Sequence, residues 1–201
     1  MSALPVTPGQ TIGPFYGYAL PYSRGHELVP PGHTRAIRLH GTVYDGQGVP
    51  IPDALLEIRQ ADETGTVPVA DGSLRREGMV FTGWGRCGTD PAGRYSFITV
   101  EPGSTAPGAA PFFAVALFAR GLLDRLFTRA YLPGDPAALA RDTLLSQLSR
   151  ERRQTLIATR EGDGSLRFDI RLQGDRETVY LAFPRHAAAE GGLTRRLAAD
   201  G

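Results

Sequence analysis

Arg86-Cys87-Gly88-Thr89-Asp90-Pro91-Ala92-Gly93-Arg94-Tyr95-Ser96-Phe97-Ile98-Thr99, then Pro111-Phe112-Phe113-Ala114-Val115-Ala116-Leu117-Phe118-Ala119-Arg120, is the stretch that decides how this chain folds. Tyr95, Phe97 and Thr99 recur at every second position, the period of a half-buried strand. Residues 112–118 are nearly all apolar, which predicts a central strand covered on both faces. The run ends on one charged residue, Arg120. Its bland reading is a strand end leaving the core, where a guanidinium returns to water. Its functional reading is an anion-facing group, since a guanidinium offers carboxylates a fork of donors.

Outward from this stretch the same grammar repeats. Ile37, Leu39, Gly41 and Val43 alternate with Arg38, His40 and Thr42, and Asp45-Gly46-Gln47-Gly48 turns that strand. Residues 54–60 read as the next strand, followed by Val80-Phe81 and, after the apolar run, by 126–132. One helix is expected: Asp135 can cap it, Pro136 suits its first position, and Leu139, Leu144, Leu145 and Leu148 repeat at near-helical spacing. Residues 155–159 and 166–172 flank Glu161-Gly162-Asp163-Gly164, a hairpin signal, and 179–183 reads as a last strand. Many short strands, Gly-rich turns and one helix predict a mainly β protein, a β-sandwich. The expected boundaries are an extended N-terminal arm at 1–35, the sandwich at 36–183 and a tail at 184–201. There is no internal repeat.

Bulk properties exclude several functions. At 201 residues the chain is one domain that buries roughly 70% of its unfolded surface. The net charge of +1 supplies no field for nucleic acid or an acidic membrane. No apolar run approaches the ~20 residues of a membrane span, and no signal peptide is visible. The single cysteine, Cys87, excludes an internal disulfide, fits a reducing cytoplasm and reads as a small core residue on a strand. His26, His33 and His40 fall seven residues apart, but in a Pro/Gly-rich arm and a strand start, which is not metal-site spacing; His186 stands alone. No phosphate loop and no nucleophile elbow is present. Tyr44, Tyr95 and Tyr131 fall in strand patterns and read as core residues with satisfied hydroxyls. Tyr16, Tyr18 and Tyr22 fall in the arm, where they either pack on their own domain or dock on a partner.

The order of motifs resembles the intradiol ring-cleavage dioxygenases. It rests on Thr7-Pro8-Gly9-Gln10-Thr11-Ile12-Gly13-Pro14, Gly41-Thr42-Val43-Tyr44-Asp45-Gly46, Leu56-Glu57-Ile58-Arg59-Gln60-Ala61-Asp62, the 86–120 stretch through Phe118-Ala119-Arg120-Gly121, and Arg153-Gln154-Thr155-Leu156-Ile157-Ala158 running on to 167–174. Arg59 departs from it, standing where relatives often carry Trp, and so do the divergent segments 17–32 and 64–80. In that family a ferric ion is held by two Tyr and two His. Here the His-x-His positions carry Phe112 and Ala114, one Tyr position carries Thr105, and no Tyr near Ser73 clearly supplies the fourth. Phe, Ala and Thr offer no imidazole and no phenolate.

The resemblance therefore implies a subunit without iron of its own. It would complete the site of an iron-bearing beta subunit, in αβ units of a larger hetero-oligomer acting on a catechol. It also implies that Thr11, Gly13, Pro14, Tyr16 and Arg120 line the mouth of the partner's Fe(3+) site, with partner docking by the arm. Gly13 would allow close backbone approach and Pro14 would fix an extended turn. Two other readings stay open: a non-enzymatic sandwich of transthyretin-like or carbohydrate-binding type, and a dioxygenase with another metal arrangement.

Overall fold

The computed structural model describes residues 11–30, 32–69 and 80–183. The start of the arm, the segment around Ser73, His186 and the expected tail lie outside the described residues. Among the described residues there are nine strands and three short α-helices: β1 (Ile37–Tyr44), β2 (Leu55–Arg59), β3 (Trp84–Gly88), β4 (Arg94–Thr99), β5 (Phe112–Phe118), β6 (Leu126–Tyr131), β7 (Thr159–Arg160), β8 (Leu166–Arg167) and β9 (Ile170–Arg171), with α1 (Tyr16–Ala19), α2 (Pro136–Arg141) and α3 (Arg150–Gln154).

They form the expected sandwich. One sheet runs β4-β1-β8-β7, with β9 also paired to β1; the other runs β3-β2-β5-β6. β1 is antiparallel to β4, with Leu39 opposite Phe97, and parallel to β8 and β9. The second sheet is antiparallel throughout, with Ile58 opposite Val115 and Phe113 opposite Ala130. Alternation sends Leu39, Val43 and Phe97 from one sheet against Leu56, Ile58, Phe113, Val115 and Leu117 from the other. Gly41 is required where the chain crosses between β8 and β9: a Cβ there would lie 2.0 Å from the Phe168 carbonyl oxygen. The Tyr95 hydroxyl donates to that same oxygen.

Several local expectations change. β5 is central, but only Phe113, Val115 and Leu117 are fully covered; Phe112, Ala114, Ala116 and Phe118 are half-buried on the outer face. On that side of the sheet Arg129 lies over the Phe112 ring, Arg125 lies over Phe127 on β6, and Tyr16 packs against Phe118. The single expected helix is two. Asp135 caps α2 through the backbone N–H groups of Ala137 and Ala138. The Leu repeat then breaks because the Asp142 carboxylate accepts from the N–H groups of Leu144 and Leu145, starting a 3-10 turn. Ser149 caps α3. Val80-Phe81 is not a strand, since β3 starts after Gly83, whose φ of 64° turns the chain. Residues 179–183 form no named strand; Leu181 N–H donates to the Phe127 carbonyl, so the segment runs beside β6. Cys87 lies on β3 and packs against the core edge, where burial pushes its thiol up and disfavours the reactive thiolate.

Three tyrosines fix the interior. Tyr131 is fully buried, its hydroxyl donating to Asp142 and accepting from Arg129. Burial pushes it up to about 12. Burial also raises Tyr95 and Tyr180. The unfolded chain ionises its tyrosines near pH ~10, whereas the folded chain resists. The stability these hydroxyls lend is therefore complete below about pH 10 and falls as pH rises past it. Urea midpoints should drop between about pH 10 and about pH 12, and Tyr131→Phe should drop less steeply.

Candidate functional site

Two places on the second sheet bear on function, and β5 separates them. At its start, Thr105, Phe112 and Ala114 line one pocket of 170 Å³, with Arg59 at its edge. The sequence-aligned ligand positions thus share a single location. Phe112 packs against Tyr131, with ring centroids 5.5 Å apart, beneath the Arg129 guanidinium at 4.2 Å. Ala114 is half-buried and Thr105 is exposed in the loop before the strand. The pocket walls are methyl, phenyl and pyrrolidine carbon, with one threonine hydroxyl and one guanidinium. Neither polar group can stand in for imidazole or phenolate, so a ferric ion does not fit these residues. Among the described residues no group of three His, Cys, Asp or Glu could hold a metal ion either.

At the other end of β5 the chain meets the arm. Gly13 has φ 72°, a left-handed conformation that reverses the chain. A Cβ there would meet nothing within 4 Å, so backbone shape rather than close approach calls for glycine. Pro14 then opens the turn that becomes α1, its carbonyl accepting from Gly17 N–H at 3.2 Å. This helical turn replaces the fully extended arm expected. Thr11 and Pro14 are exposed. Ile12 N–H donates to the Leu122 carbonyl at 2.8 Å, tying the arm to the loop that follows Arg120.

Tyr16 is the buried anchor. Its ring lies 6.3 Å from Phe118, and its hydroxyl donates to the main-chain carbonyl of Asp53 at 2.5 Å. Burial raises that hydroxyl, the Asp53 charge adds to the shift, and the Arg120 charge opposes it. The Asp53 carboxylate is ion-paired with Arg120. Tyr16 and Arg120 are therefore joined by a residue the sequence did not single out. Asp53 sits in a turn between Pro52 and Ala54, and its partners are distant in sequence, so no local pattern marks it.

A second anchor was also missed. Arg86 donates to both sides of the arm's attachment: to the Leu20 carbonyl at 2.6 Å, and through two nitrogens to Glu57 at 2.9 and 2.6 Å. Its guanidinium lies over Trp84, and Tyr22 stacks on that indole with centroids 5.9 Å apart. Leu28 N–H and the His26 carbonyl pair with Ile98. Of the two readings open for the arm's tyrosines, Tyr16 and Tyr22 pack on their own domain. Phe15 and Tyr18 differ: they are 79% and 86% exposed, and Leu123 near them is 57% exposed. Of the evenly spaced histidines, His40 bonds Glu161 at 3.0 Å and Ser165 at 3.3 Å, while His26 lies 4.0 Å from Glu27 and His33 accepts from Arg35 N–H. They do not converge.

Comparison with known proteins follows this geometry. The Dioxygenase family model matches residues 13–174. The chain is 37% identical over 197 residues to the protocatechuate 3,4-dioxygenase alpha chain of Burkholderia cepacia, covering 90% of this chain and 99% of that one. It is 38% identical over 200 residues to the alpha chain of Pseudomonas putida, covering 90% and 98%. The Burkholderia cepacia beta chain is also similar, 35% identical over 151 residues, covering 67% of this chain and 63% of that one. Among solved structures, the dioxygenase domain of a carbohydrate-binding fusion protein from Streptomyces sp. SirexAA-E shares the fold, with TM-score 0.56, 24% identity, and coverage of 84% and 98%. Catechol 1,2-dioxygenase from Acinetobacter sp. ADP1 does so with TM-score 0.54, 20% identity, and coverage of 79% and 60%.

The apolar pocket gives a direct expectation. The chain expressed by itself should bind no ferric iron on elemental analysis and show no visible tyrosinate-to-iron absorption. A coloured, iron-loaded chain would overturn this reading of Thr105, Phe112 and Ala114.

Proposed function

The chain belongs to the intradiol dioxygenase family, and from that premise we propose that it is the non-iron-binding alpha subunit of a protocatechuate 3,4-dioxygenase. It completes the active site of a beta subunit that carries Fe(3+), in αβ units of a larger hetero-oligomer. The reaction is the cleavage of 3,4-dihydroxybenzoate by O2 to 3-carboxy-cis,cis-muconate, with both oxygen atoms entering the product. The alpha-chain relatives and the similarity to a beta chain support this assignment.

One observation carries it. Phe112 opens β5 and Arg120 lies in the turn just past its end at Phe118, so the strand alone sets them roughly 20 Å apart. Arg120 therefore cannot serve the pocket of Thr105, Phe112 and Ala114 on its own chain. An anion-facing Arg120 acts toward another molecule. Its side chain is 66% exposed even with Asp53 paired to one nitrogen, which leaves donors for a benzoate carboxylate. Thr11, Gly13, Pro14 and Tyr16 gather at this same end and form the mouth of the partner's site with it. What these residues do is receive the anion, hold the mouth's shape and exclude water; the ring-opening chemistry belongs to the partner's iron. The exposed Phe15, Tyr18 and Leu123 next to the mouth form the apolar part of the contact with the partner. Among the described residues no helix is long and apolar enough to cross a membrane; with its lone half-buried thiol, the chain suits the cytoplasm.

Replacing Arg120 by Ala in the co-expressed complex should leave iron content and assembly intact. It should lower kcat/KM for 3,4-dihydroxybenzoate about tenfold or more, within the range for a hydrogen bond to a charged group, and change uncharged catechol far less. Equal kinetics on both substrates would remove Arg120 from the mouth. The double replacement Phe15→Ala with Tyr18→Ala should reduce co-purification with the beta subunit, because central aromatic residues dominate such contacts. Undiminished co-purification would place the interface elsewhere.

A further inference from the structure

We propose that Asp53 is a positioning residue for the mouth: it fixes the direction in which Arg120 presents its remaining donors to an anionic substrate. The inference rests on the mouth reading above and adds a residue to it. Asp53 is the point where arm and strand end meet, its carbonyl taking the Tyr16 hydroxyl and its carboxylate taking the Arg120 guanidinium. The turn that carries it is held on both sides. Ile51 N–H donates to the Val43 carbonyl at 2.9 Å, and the Thr89 hydroxyl donates to the Ile51 carbonyl at 2.8 Å. Ala54 N–H donates to the Thr89 hydroxyl at 2.9 Å, and Thr89 N–H returns to the Ala54 carbonyl at 2.9 Å. The acid is therefore presented from a pinned loop, whereas Arg120 is a long, exposed side chain followed by Gly121 at φ 88°. An unrestrained arginine samples many rotamers, and restricting them before substrate arrives removes an ordering cost from binding. Asp53 takes only one edge of the planar guanidinium and leaves the rest pointing outward.

Asp53 could instead act only as a competitor, neutralising Arg120 and weakening its hold on an anion. The two roles predict opposite signs. Asp53→Asn keeps the side-chain shape and the carbonyl that Tyr16 uses, so the arm anchor survives while the charged pairing is lost. In the co-expressed complex, positioning predicts that KM for 3,4-dihydroxybenzoate rises about fivefold or more, with kcat and catechol kinetics little changed. Asp53→Glu should recover part of the loss. An unchanged or lower KM for the acid overturns the proposal, as does equal damage to both substrates or a failure to assemble, each of which marks Asp53 as a brace or a competitor. Arg120→Ala measured alongside separates the two levels. If it lowers use of the acid and Asp53→Asn does not, the positioning role alone falls. If it too has no effect, the mouth reading falls and this inference with it.

Discussion

Burial of Phe113, Val115 and Leu117 between the sheets sets the register of β5, and the functional geometry depends on that register. A strand has a period of two, so a slip of one residue would exchange its faces. Pairing on both sides prevents this, with Val115 held between Ile58 and Thr128. The other face of the same strand carries Phe112 and Ala114 at one end, and the chain reaches Arg120 just past the other. The pocket of Thr105, Phe112 and Ala114 and the paired Arg120 are thus set apart by the length of one strand. A substitution that loosened the core around Phe113 would disturb Phe112 and Ala114 beside it and, through the strand, the far end as well.

The parts of this fold that could be read from sequence are those decided by short-range pattern. Alternation at 37–43 and 95–99, the apolar run at 112–118, the Asp135 cap and the Asp163-Gly164 hairpin turn each act within a few residues, and the structure follows them. The parts that could not be read depend on contacts between distant segments. α1 has no periodicity of its own; a four-residue turn persists because Tyr16 reaches Asp53 and Arg86 reaches Leu20. The Leu repeat at 139–148 looked continuous because Asp142 reads as an ordinary helix-surface residue until its side chain captures two backbone N–H groups. Residues 112–118 looked covered on both faces because composition cannot show that only the alternate residues Phe113, Val115 and Leu117 face the core.

The site divides along the same line. Which ligand types are missing was legible, because Phe112, Ala114 and Thr105 differ chemically from imidazole and phenolate whatever their surroundings. That a single charge, Arg120, ends the apolar run was legible. That it is paired was not, since Asp53 belongs to a Pro-Asp-Ala turn like many others. Tyr16, Tyr18 and Tyr22 looked equivalent in sequence, and only packing separates two anchors from one exposed ring.

The chemistry of the replacements explains how such a chain stays stable without a metal. A cluster of histidine and tyrosine at the start of β5 would place partly buried nitrogen and oxygen there, and each group left unpaired would cost stability. Phenylalanine and alanine make no such demand. Phe112 fills its place with ring contact to Tyr131, and the Tyr131 hydroxyl is answered by Asp142 and Arg129. Arg129 in turn lies over the Phe112 ring, so this end of β5 is a packed stack of aromatic ring and guanidinium. Nothing at that end needs a cofactor to complete it. At the other end Asp53 pairs with an exposed Arg120, and on the function proposed above that is where a second subunit's chemistry draws on this one.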